Sequence, residues 1–281
     1  MITIARLTIG EAARKKVLWV LVILAVLAVA LTGWGVERLV TTARAEGVEE
    51  LQVRFGVSQV LIFIAFMFGF VLAMTAAFMG SPAIAQDLES GVALALLARP
   101  LRRSSFLLGR WLGLLVVTVG YAIGSAALAM AVVGLISGYL PPRPWIPITF
   151  LAAQAVVLLT LTLALSTKLP PIGGGAVAVV AYGLAWLAGV LGGVGRAFHA
   201  DALIAISNAT RYVLPTDGLW RGVVYGLEPS FIFAVVGDNE FAQTNPFFAS
   251  SPPPGGFIAW CVLWVAVVLG LAIAAMRRRE L

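Results

Sequence analysis

Side chains that could do chemistry are scarce in this sequence, and the densest group of them falls in one segment. Of 281 residues, 13 are acidic, 19 basic, one is histidine and one is cysteine. From Ser81 to Gly113 the chain reads SPAIAQDLESGVALALLARPLRRSSFLLGRWLG. Ser81-Pro82 marks a helix break, and Asp87 and Glu89 open a Leu- and Ala-rich run, where negative charge complements the amino end of a helix dipole. Leu88, Val92 and Leu96 recur every four residues and define one apolar face. Arg99 lies near the carboxyl end, Pro100 stops the run, and Arg102 and Arg103 follow as a basic pair. A short amphipathic helix of this kind carries no nucleophile beside a base. Its charges either contact another protein or solvate a loop.

Little else in the chain points to catalysis or metal binding. His199 has Asp201 and Asp217 as its nearest conceivable co-ligands, and one histidine alone makes no metal site, so it reads as a polar loop residue. The lone Cys261 excludes an internal disulfide and a thiolate cluster, and within an apolar run it behaves as a small hydrophobe. The glycine-rich stretches IGGGA (172–176) and GGVGRA (192–197) lack the lysine of a phosphate-binding GxxxxGK[ST] loop and read as loop or close-packing glycines. Any ATP used must therefore be handled by another chain. Gln59 and Gln154 stand in apolar runs, where each suits a substrate contact or an interhelical hydrogen bond.

The elements that position these residues are set by composition. The chain is 61% hydrophobic and 11% charged, against about 45–50% and about 25% for a soluble domain. Too few polar residues remain to cover a water-soluble fold of this length. Uncharged runs extend over Val17–Val36, Phe55–Gln86, Trp111–Pro142, Pro144–Thr167, Leu169–Gly195 and Phe257–Met276. Each reaches the roughly 20 residues that a helix needs to cross a bilayer, and none shows the ten-residue alternation of a barrel strand. The expectation is a single all-α integral membrane domain, 1–281, with six transmembrane helices at 17–36, 57–80, 111–138, 147–167, 172–194 and 257–276. Residues 1–16 fit an interfacial helix with Arg14, Lys15 and Lys16 at the headgroups, followed by an uncleaved first span. Residues 37–54 read as a solvated or interfacial stretch, and 81–110 as a loop holding the short helix. Residues 195–256 contain apolar runs too short to cross, which predicts short re-entrant or surface-lying helices capping one end. Trp19, Trp34, Trp111, Trp145 and Trp260 lie near span ends as interface anchors.

The charges orient this plan. With the N-terminus inside, inner segments hold 12 of the 19 basic residues, including Arg14, Lys15, Lys16, Arg102, Arg103 and Arg277 to Arg279, against 4 of the 13 acids. Outer segments hold the other 7 basic and 9 acidic residues. The net charge of +6 is thus a positive-inside signature with both termini cytoplasmic, and not a nucleic-acid face. No Asp, Glu, Lys or Arg lies deep in an expected span, which counts against an ion-coupled secondary carrier. A membrane scaffold or assembly factor that anchors a complex without moving a solute shares all the compositional evidence.

The segment 87–110 resembles the permease subunit of type-2 ABC transporters. The resemblance rests on the order acid-x-acid-x-Gly, then Leu-x-x-Pro-Leu-x-Arg, then Leu-Leu-Gly-basic. The matching residues are Asp87, Glu89, Gly91, Leu97, Pro100, Leu101, Arg103, Leu107, Leu108, Gly109 and Arg110. LPTDGLW, Leu214 to Trp220, is a second similarity, and the arrangement of spans extends the likeness over essentially the whole chain. The resemblance implies that a coupling helix at 87–98, between the second and third spans, lies in a groove on a separate ATPase. Asp87, Glu89, Gly91, Leu97, Arg99, Pro100, Arg102 and Arg103 would be the ATPase-coupling residues. It further implies two copies of a cognate ATPase binding ATP and Mg, no cofactor in this chain, and a second permease copy forming a homodimer among membrane lipids. Export across a bacterial or archaeal cytoplasmic membrane follows from the same likeness.

Overall fold

The computed structural model describes residues 1–89, 103–236 and 244–278, and all regular structure among them is helical. In chain order the helices are α1 (Ile2–Arg14), α2 (Lys16–Ala45), α3 (Glu50–Gly80), α4 (Pro82–Glu89), α5 (Arg103–Ser137), α6 (Trp145–Ser166), α7 (Pro171–Ala197), α8 (Asp201–Val213), α9 (Thr216–Leu227), α10 (Ser230–Val236) and α11 (Gly255–Arg278). Six of these, α2, α3, α5, α6, α7 and α11, are long and apolar enough to cross a membrane. The fold is an all-α integral membrane protein of six spans.

The helices overrun the uncharged runs. The stretch 37–54, expected as a solvated segment, is mostly helix: α2 continues to Ala45 and α3 begins at Glu50. Its charged residues are good helix formers, and Glu50 pairs with Arg44 at 3.3 Å and with Arg54 at 3.7 Å, one turn on. The reversal is confined to the intervening residues. There Gly47 takes φ 73°, a left-handed conformation that glycine adopts without a Cβ clash, while the Val48 amide donates to the Ala43 carbonyl at 2.9 Å. At the corner between α6 and α7, Pro171 occupies the first turn of α7, where its missing N–H costs nothing.

Burial separates a centre from a rim. In its most apolar window α3 is 61% buried, whereas α2 and α11 are 22% buried. The rim helices turn large apolar side chains outward, including Trp19, Ile23, Leu27 and Leu31 on α2 and Val262, Leu263 and Leu271 on α11. A soluble protein hides such a stripe; here hydrocarbon is the solvent. Threonine hydroxyls within the spans find partners on their own helices. Thr75, Thr118, Thr160 and Thr162 each donate to the carbonyl four residues earlier at 2.7–3.0 Å. The Trp111 indole N–H donates across to Thr160 Oγ1 at 3.0 Å, tying α5 to α6.

Two ends of the bundle follow from these contacts. The near end gathers α1, the α3–α4 junction, the start of α5 and the finish of α11. The far end carries α8, α9 and α10, the short helices between α7 and α11. Among them α9 is wedged into the bundle, with Trp220, Val223, Val224 and Leu227 in the same core as Leu61, Phe68 and Leu151.

Candidate functional site

The near end is built around the start of α4. Pro82 opens this helix directly after α3, so Ser81-Pro82 redirects the helical path and does not end it. Asp87 and Glu89 consequently lie within α4 five and seven residues after Pro82, beyond its first turn, and not at the amino end of a new helix as expected from their charge. Proline at the first helical position is the physical reason, since it is compatible with starting a helix at once. Ala83, Ile84 and Ala85 are buried, with Ile84 fully so. Ile84 shares one core with Met79 of α3, Phe106 and Leu107 of α5, Leu159 and Leu163 of α6, and Met276 of α11. The Ser81 hydroxyl donates to the Pro171 carbonyl at the start of α7. A Cβ on Gly174 would come within 2.8 Å of that hydroxyl, so this glycine of the IGGGA stretch serves close packing.

Helix α1 braces the same end. It lies along the start of α5, where a Cβ on Gly113 would come within 2.6 Å of Thr8 Cβ and 2.7 Å of the Ala5 carbonyl. Arg110, buried beside the Phe106 ring, pairs with Glu11 and donates to Thr8 Oγ1 at 3.4 Å. Arg110, which the sequence placed at the entry to a span, thus holds the N-terminal helix against α5.

The expected coupling residues distribute unevenly. Gly91, Leu97, Arg99, Pro100 and Arg102 lie outside the described residues, as does most of the 87–98 helix. Asp87 and Glu89 are placed on the α4 backbone. Arg103 begins α5, and its Nη1 donates to the carbonyls of Met276 at 3.2 Å and Arg277 at 3.3 Å. It caps the last turn of α11, where a cation also complements the helix dipole. The base of α4, the first turn of α5 and the end of α11 are therefore one connected unit.

The far end holds a charged group that no motif announced. Asp217, nearly buried, accepts from Arg211 Nη2 at 3.3 Å and lies 3.5 Å from Arg221 Nε. Arg221 also donates to the Gly189 carbonyl at 3.4 Å. Gly189 is required by this arrangement, because a Cβ there would sit 1.9 Å from Asp217 Oδ1. Asp217 is thereby committed to arginine, and among the described residues no group of three or more metal-ligating side chains occurs. His199 adopts φ 51° just after α7, a turn position, in keeping with a loop residue. The signal available in the sequence was slight: Asp217, within LPTDGLW, and Arg221, the residue just after it, stand at a helical i, i+4 spacing. Gln154, fully buried, donates to the Thr216 carbonyl at 3.4 Å and fastens α6 to α9.

A family model described as ABC-2 family transporter protein matches residues 2–281, nearly the entire chain. No curated protein matches the chain.

Proposed function

The chain belongs to the ABC-2 transporter family, and on that premise we propose that it is the permease of an ATP-driven exporter worked by a separate ATPase through the segment 87–98. Membership and six apolar helices make it a multi-pass membrane subunit of a transporter. The proposal adds the means of driving it. The near end would face the cytoplasm, as the basic excess there favours. The cognate ATPase, in two copies, would bind ATP and Mg and press on 87–98, with Asp87, Glu89, Gly91, Leu97, Arg99, Pro100, Arg102 and Arg103 at the contact. Two permease copies would enclose the pathway.

One observation supports this reading above the others: the base of α4 is packed into the core that joins α3, α5, α6 and α11. A solvated loop needs no such anchorage. A lever does, because force applied to its outer part must move spans and not merely bend the segment. Coupling further requires that the segment bind the open and closed ATPase states unequally.

The test is copurification followed by reconstitution. The detergent-solubilised chain should copurify with an ATPase encoded beside it. The double variant Asp87→Asn/Glu89→Gln should weaken that association, and Arg103→Gln should leave association intact while the ATPase rate loses its dependence on the permease. Solute flux by the chain alone in vesicles without ATP would overturn the proposal.

A further inference from the structure

The arginine group at the far end is more than a counter-ion set for Asp217. Arg196 stands in the last turn of α7, Arg211 in the last turn of α8 and Arg221 in α9. All three line one cavity of about 290 Å3, together with Ser250, Ser251 and Phe257. Asp217 is the single carboxylate in ion-pair contact with this group among the described residues, and it engages Arg211 and Arg221 only. Arg196 makes no ion pair among the described residues. Three guanidiniums facing one carboxylate repel one another, and in a partly desolvated pocket that repulsion is weakly screened. Among the described residues the buried Nε atoms of Arg211 and Arg221 have no hydrogen-bond partner, although Arg221 Nε lies in ion-pair range of Asp217 at 3.5 Å.

The surroundings point to the missing charge. The span α11 starts at Gly255, just beyond the Pro252–Pro254 stretch that also lines the cavity, so the positive end of its dipole is directed there. Tyr212 and Trp260 stand beside it, their rings in edge contact at 5.9 Å, with the Trp260 indole N–H donating to the Tyr212 carbonyl at 3.1 Å. Amphipathic aromatics at a span end mark headgroup depth. The donors are planar forks suited to bidentate binding of a tetrahedral oxyanion.

We propose that this cavity binds a phosphate group, presented at headgroup depth by an anionic phospholipid of the far leaflet or by a phosphate-bearing molecule in solution. Arg196 is the residue reserved for that ligand, and Arg211 and Arg221 are positioned by Asp217 to complete the cradle. The site is independent of the coupling segment and stands whether or not the ATPase drives the chain as proposed above.

Thermal-shift titration of the purified full chain in neutral detergent tests the proposal, with short-chain phosphatidylglycerol, short-chain diacylglycerol and inorganic phosphate as probes. Phosphatidylglycerol should stabilise saturably and diacylglycerol should not. Arg196→Gln should weaken the phosphatidylglycerol response about tenfold, the loss of one charge-assisted donor pair. Arg196→Lys, which keeps the charge and loses the fork, should fall between the two. Competition by inorganic phosphate would identify a general phosphate site, and its absence a lipid-specific one; both support the cavity. A response that is equal for diacylglycerol, absent from the unmodified chain, or unchanged in both Arg196 variants overturns the proposal.

Discussion

The two ends of this bundle are held together by different forces. At the near end a short helix, a span entry and a span terminus meet in a dry apolar core around Ile84, Phe106 and Met276, with backbone carbonyls capped by Ser81 and Arg103. At the far end, helices α7, α8 and α9 converge on Asp217 and its arginines. Dispersion and burial are short-ranged and indifferent to salt, so the near end can transmit displacement as a packed body. Ion pairs in a partly open cavity respond to ligands and to ionic strength, so the far end can be tuned by what surrounds it. A machine driven from one side and loaded from within would use this division, with stiffness where force enters and adjustable charge where the ends of the spans meet the far leaflet.

The comparison breaks most decisively at Asp217. Asp217→Ala leaves Arg211 and Arg221 facing each other without their carboxylate, and removing one partner of a buried pair costs about 3–5 kcal/mol. The expected outcome is a large loss of monodisperse protein and a lower unfolding temperature in detergent. Added phosphate should partly restore the unfolding temperature if the cavity accepts an anion. Near-normal stability of Asp217→Ala would mean that the far end, too, is held by packing alone, through α9 and its neighbours.

Ile84→Ala probes the opposite end. Ile84 is fully buried, and truncation to alanine should cost about 2–4 kcal/mol from lost transfer energy and a residual cavity. Two readouts sharpen the contrast. The loss should be the same at low and high salt, unlike that of Asp217→Ala. It should also reduce the response of the ATPase to the permease more than its stability cost alone explains, because the lever would then turn on a softened base. A salt-dependent loss would mean that the Arg110–Glu11 pair, and not the apolar core around Ile84, dominates this end.

How much of this was legible beforehand depends on what each pattern encodes. The six spans were readable because uncharged runs such as Val17–Val36 report directly on hydrocarbon. Their ends were not, because Glu37, Arg38 and Arg44 leave the membrane without leaving the helix. The start of α4 is hidden for a related reason: acidic residues such as Asp87 and Glu89 favour a helix start, but Pro82 supplies one five residues before Asp87. The short far-end helices were foreseeable from apolar runs too short to cross, whereas the arginine group was not. Arg196, Arg211 and Arg221 belong to three different helices, and only the turn at Leu214-Pro215 brings Asp217 within reach of Arg211. Such convergence is a property of topology, and a linear pattern holds it only in the single i, i+4 step from Asp217 to Arg221.

Glu228 offers the mildest test, and it concerns pH. It ends α9 at the far end, nearly inaccessible to solvent, beside Tyr139, whose hydroxyl donates to the Leu227 carbonyl at 2.8 Å. Burial pushes the Glu228 carboxyl from its usual 4.5 up to about 8, with a smaller opposing pull from the Ala249 amide. A raised carboxyl keeps its proton in the folded protein at a pH where the unfolded chain has released it. This contribution is therefore fully present below about pH 4.5 and is lost progressively as the pH rises toward 8. Glu228→Gln removes the titration but retains the shape. It should match the unmodified protein below about pH 4.5 and exceed it progressively as the pH rises to 9, measured as unfolding temperature across the range. The near end, whose core around Ile84 is formed by apolar side chains, should add no slope of its own: the stability difference between Ile84→Ala and the unmodified protein should be the same at pH 5 and at pH 9. A slope that persists undiminished in Glu228→Gln would place the sensitivity in another group.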